Sequence, residues 1–322
     1  MFAYDWILTI VVALAVIVLW EFIYGIVAVK LTPGQQFKFY YDINITNGSG
    51  DIYSLMNDEK KVLSYDVLSF SSESLTTEVD VLTARLSIYE GDIIVTDCAE
   101  PSEDAEDKSV RLETLVDVHG GYSYEELLKD AKAYLLGLMK DGVADDISIA
   151  TYNLDNLDEQ KIEQVFRSRM KKDNRFRKEE QIQEGIKQEI ERIKRLYLEV
   201  VKFDYLLALK NSAPELFYCY TRYEQSAENN EDYKTAYKKE QAERENHIYA
   251  LKIAGLTNFK GEGSSKKDPS EYFKMKGKDD ATDVAIMVFN FREHQPHLQY
   301  EVIGFINAIV EDCSTIYDGL FN

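Results

Sequence analysis

Apolar residues follow one another almost without a break from residue 6 to residue 29, and beyond them the chain turns to shorter, patterned segments. Crossing about 30 Å of hydrocarbon takes roughly 20 helical residues, so this run predicts a transmembrane anchor over residues 1–30. Residues 35–45 (QQFKFYYDINI) alternate as a half-buried strand does, and TNGSG at 46–50 supplies a turn. Residues 62–70 (VLSYDVLSF) predict another strand. Val79, Leu82, Leu86 and Ile88 then mark one helical face, which Glu90-Gly91-Asp92 stops ahead of the apolar Ile93-Ile94-Val95. Strand, helix, glycine and short apolar strand together predict a parallel crossover unit. In such units ligands collect outside the carboxyl ends of the strands, here residues 69–73 and 96–98.

The rest of the chain is more helical. Residues 124–140 place Leu127, Leu128, Ala131, Leu135 and Leu138 on one face, with a capping box from Ser123 to Glu126 in front and Gly142 as a stop. From 158 to 209 the pattern is again helical: Ile182, Ile186, Ile190, Ile193, Tyr197 and Val200 recur at spacings of three and four. A stripe of this length suits an intramolecular helical hairpin, with pairing to a second copy as the alternative. Residues 217–223 (FYCYTRY) are β-like, 224–247 are charged and helical, and 259–282 are loop-like; 283–291 and 298–310 close the chain with a strand and a helix. The expected fold is therefore an N-terminal single transmembrane helix plus an α/β (or α+β) soluble domain with a mixed sheet and long amphipathic helices. Its domain at 31–322 carries a helical insertion at about 158–250 and a flexible loop at about 259–282.

Aromatic residues fit the anchor. Tyr4 and Trp6 at one end, and Trp20 and Tyr24 at the other, suit two interfacial belts, with Glu21 reaching the headgroups or serving a partner helix or a proton. Residues 1–5 contain no Lys or Arg, which favours an uncleaved signal-anchor over a cleaved signal peptide. The expected localisation is a single-pass cell-membrane protein contacting the bilayer through residues 6–29. Lys30 and Lys38 weigh toward a cytoplasmic domain, whereas the acidity of a long domain permits translocation; the extracytoplasmic side is expected. A formal net charge of −20 argues against nucleic acid or anionic lipid as the partner of the large domain.

Candidate chemistry is sparse. Cys98, Cys219 and Cys313 form no CxxC pair and no disulfide framework. Asp42, Asn44 and Thr46 resemble the opening of a calcium loop, but Asn47 stands where glycine belongs and Tyr53 where the closing glutamate belongs, so turn chemistry explains them. His294 and His297 lack a third ligand in sequence, and Pro296 reads as a helix start, so no metal and no cofactor are expected. No GxSxG, HExxH or glycine-rich phosphate loop is present, so no catalytic residue is assigned and the chain is read as non-enzymatic. The basic run at 167–177 offers an anionic partner a surface or is a solvated turn between helices. Tyr218 and Tyr220, with Tyr223 around Arg222, form an aromatic wall for a sugar or peptide, or a packed β-segment.

The segment VLTARLSIYEGDIIVTD resembles the first helix and second strand of type II extracellular solute-binding proteins, which carry an L-xx-RL pattern leading to a D-I-I/V-x-x-D strand. Residues 283–291 (DVAIMVFNF) and 298–310 resemble the strand and helix that close a lobe in that family. The resemblance covers about 62–97 and 283–310 and implies a single, degenerate lobe, since no second lobe follows. It maps Ser71, Ser72 and Asp97 onto ligand-facing strand ends, positions where helix and turn capping serves equally well. Together with Tyr218 and Tyr220 these are the candidate ligand-binding residues. The expected function is a membrane-anchored ligand-binding or interaction protein with a small-molecule or protein partner. The alternative is a structural or assembly component whose long helices make the contacts.

Overall fold

Apolar residues that alternate between two faces make the centre of the sheet. In β4 (Ile93–Asp97), Ile93 and Val95 face one side and Ile94 the other; β8 (Val284–Val288) repeats the pattern, and all five of its residues are buried. A strand covered on both faces reads as a continuous apolar run, which is how IIVTD and VAIMV appear in sequence. The computed structural model describes residues 5–27, 35–42, 44–59, 63, 65, 67, 69–74, 91–99, 112, 115–116, 122–173, 175–220, 246–288 and 300–321.

Six strands form one mixed sheet: β3 (Ser69–Ser74), β1 (Gln36–Tyr41), β4, β8, β6 (His247–Lys252) and β5 (Phe217–Tyr220), in that order across it. The first three are parallel, and β8, β6 and β5 join by antiparallel pairing. The expected parallel crossover between the segments before and after Gly91 is present in modified form: β3 and β4 lie on either side of β1 instead of next to each other. A small second sheet pairs β2 (Ile45–Asn47) with β7 (Phe273–Met275), so the 259–282 stretch read as loop contains a strand and the short helical turn Pro269–Glu271. The expected helices at 79–88 and over most of 224–247 lie outside the described residues.

One face of the sheet is covered by helices. α2 (Tyr124–Leu136) starts with the expected capping box: Glu126 N donates to Ser123 Oγ, and Ser123 N donates to Glu126 Oε2. Its Tyr124 hydroxyl donates to Ile286 O at 2.7 Å and accepts from Leu251 N at 3.2 Å, pinning the helix to β8 and β6. α3 (Glu159–Arg169) and the 30-residue α4 (Glu179–Ala208) pack as a hairpin, and most of the apolar stripe of α4 (Ile186, Ile193, Tyr197 and Val200) is buried within this chain, with Ile182 and Ile190 partly so. α5 (Glu301–Cys313) lies between α4 and the sheet, its Phe305 ring stacked 5.6 Å from Phe37 and tilted 6.0 Å from Phe39. The opposite face gathers Tyr40, Ile94, Tyr249, Ala250, Ala285 and Met287 under Leu112, Leu115 and Val116.

At the N-terminus the backbone forms α1 (Asp5–Val27), 23 residues long. Among the described residues, however, no helix is long and apolar enough to cross a membrane. The transmembrane anchor expected over residues 1–30 is corrected accordingly, and with it the single-pass signal-anchor topology, the cell-membrane localisation and the sidedness that depended on them. Within its apolar run the helix also carries the carboxylate of Glu21, an ionisable group that is costly to place in hydrocarbon. Every large apolar side chain described on α1, from Trp6 to Tyr24, is between 43 and 67% exposed.

Candidate functional site

The five residues singled out for ligand binding are dispersed by the sheet. Ser71 and Ser72 stand exposed inside β3, opposite Lys38 and Phe39 of β1, and the carboxyl end of that strand is Ser74. Asp97 does end its strand. It lies two residues past Val95, which is level with Tyr41, so it is five residue steps and two strands from Ser71. That is about 16 Å along the strands and about 10 Å across them. Tyr218 and Tyr220 occupy β5, the opposite edge strand, five inter-strand spacings or about 24 Å from β3. Their rings stack at 6.3 Å and Tyr220 meets Tyr249 edge-on at 6.5 Å, half-buried against the second face of the sheet. Asp97 Oδ1 accepts from Ala99 N at 2.8 Å, the bond of a turn. Asp42, from the calcium-like stretch, is buried and accepts from Asn44 N, also a turn.

Titratable groups converge elsewhere, at the joint between α4 and α5. Arg192 is wholly buried. Its Nε and Nη2 donate to the two carboxylate oxygens of Glu189 at 2.9 and 3.0 Å, and its Nη1 lies 3.6 Å from Glu301. Glu189 also accepts from Tyr65 at 3.0 Å and from Arg169 at 3.2 Å. Burial alone would raise the Glu189 carboxyl, but Arg192, Arg169 and Tyr65 outweigh it and hold it down at about 2. Burial likewise works against the Arg192 charge, and Glu189 outweighs it, so the guanidinium stays charged. Nearly three turns further along α4, Lys202 donates to Glu199 at 3.1 Å and to Glu311 at 3.3 Å. Asn307 Nδ2 donates to Glu199 O and Oε2, both at 2.8 Å, while its Oδ1 accepts from Tyr317 at 2.7 Å. Burial raises the Glu199 carboxyl above its ordinary range.

Between these two arms lies a small cleft with room for about one water molecule, lined by Arg192, Arg195, Leu196, Glu199, Tyr300, Glu301 and Gly304. Its lining is chemically rich yet already paired: Arg192 faces Glu189 and Glu301, and Glu199 is held by Lys202 and Asn307. Such an arrangement fixes two helices against each other. It offers neither an activated nucleophile nor a base turned toward a substrate. Sequence reasoning missed these residues, although one signal was present: Glu189 lies three residues after Ile186 and four before Ile193, in the middle of the apolar stripe.

Other expected features resolve in structural terms. Three of the four arginines of the basic run are engaged by neighbours: Arg167 by Glu163 and Glu179, Arg169 by Glu189, Arg175 by Asp173. Cys98 is half-buried, Cys219 exposed and Cys313 buried, all as free thiols. Among the described residues no group of three or more His, Cys, Asp or Glu is placed to hold a metal ion, and His294 and His297 lie outside those residues. Compared with protein-family models, with curated proteins and with solved structures, the chain matches none.

Proposed function

We propose that this chain is a non-enzymatic interaction protein, a mixed α/β body whose external contact runs through α1. The observation that carries the reading is the exposure of fourteen large apolar side chains on that helix, from Trp6 to Tyr24, with no polar face to set against them. A helix apolar all round needs apolar surroundings on every side, and this body does not supply them. The structural alternative, in which the long helices make the contacts, is less well supported because most of the α4 stripe is buried within the chain.

The small-ligand reading also has less behind it. Ser71, Ser72, Asp97, Tyr218 and Tyr220 would have to serve one ligand across most of the width of the sheet. The resemblance to one lobe of a solute-binding protein draws support from a narrower fact. The two segments that carry it, far apart in sequence, meet where β4 pairs with β8. On this reading the lobe is a scaffold rather than a binding cleft.

The test is the assembly state of the full chain by light scattering, alone and with Val16→Lys and Leu19→Lys combined. Unmodified chain is expected to leave the monomer population in detergent-free buffer, and the double variant to remain monomeric with an unchanged melting transition of the body. An unmodified chain that stays monomeric at tens of micromolar would remove the proposal.

A further inference from the structure

We draw no further inference here: the strongest candidate, the cleft between α4 and α5 lined by Arg192, Arg195, Glu199, Tyr300 and Glu301, has room for about one water molecule and its charged lining is already paired within the chain, so nothing there selects a ligand.

Discussion

Glu189 shows how a single side chain ties chemistry to stability. Its carboxyl is held at about 2 in the folded chain, below the ordinary value of about 4.5, so the unfolded chain takes up the proton first as pH falls. The stabilisation is complete above about pH 4.5 and is lost progressively toward pH 2, a change on the order of 3 kcal/mol. Urea unfolding midpoints measured between pH 6 and pH 2.5 are expected to fall accordingly. Glu189→Gln should flatten that dependence while lowering stability at pH 7 by about 3 kcal/mol, since the buried Arg192 keeps only the more distant Glu301 carboxylate, at 3.6 Å, against its charge. Gly91 makes a different demand. Its φ is +99°, and a Cβ there would lie 2.2 Å from the ring of Tyr40, which is fully buried. Gly91→Ala is expected to cost on the order of 2–4 kcal/mol in the same unfolding experiment. Burial raises all three thiols, Cys98 to about 11 and Cys313 to about 12, and they divide by access: Cys219 is exposed on an edge strand. Alkylation followed by peptide mass spectrometry should find Cys219 modified first in native chain. Gly91 could be read from the sequence as a stop, but not its close approach to Tyr40, because contacts between residues 51 positions apart leave no local pattern.

At the scale of elements, the outcome depended on how far each signal was local. The capping box at Ser123 and Glu126, the apolar strand around Ile94 and the stripe on α4 all follow from neighbours within a few residues, and all are in the fold. The strand expected at 62–70 instead occupies Ser69–Ser74. An edge strand is held by backbone pairing to β1 and can carry exposed serines, so its side chains do not announce it. The α3–α4 hairpin rests on another contact hidden from propensity. Gly185 faces Phe166 and Phe176, where a Cβ would stand 2.4 and 2.6 Å from their rings. Alanine at that position would gain about 1 kcal/mol of helix propensity in isolation. In this hairpin Gly185→Ala is expected to lower stability instead, by about 1–3 kcal/mol net, because two packed rings must move. A rise in the thermal midpoint of that variant would show the hairpin to be looser than these distances imply.

For the whole molecule, the sequence made an α/β body with a mixed sheet and long helices legible, and left the site illegible. Ligand residues were chosen at strand ends and in an aromatic cluster. Their distance from one another depends on strand order, and no residue in β3 or β5 records that these strands lie at opposite edges. The N-terminal run was legible as a helix, yet among the described residues it does not qualify as a span. What remains is an apolar helix in a chain of formal net charge −20, a helix that on the proposed function is covered from outside the body. The chain has two tryptophans, Trp6 and Trp20, and both lie on α1, so tryptophan emission, excited selectively over its 22 tyrosines, reports that helix alone. Emission and iodide quenching should be followed as full chain is taken from the dispersed monomer into its assembled form. A shift to shorter wavelength with loss of quenching is expected; emission that stays at the wavelength of water-exposed indole, and fully quenchable, in the assembled form would show that nothing covers the helix.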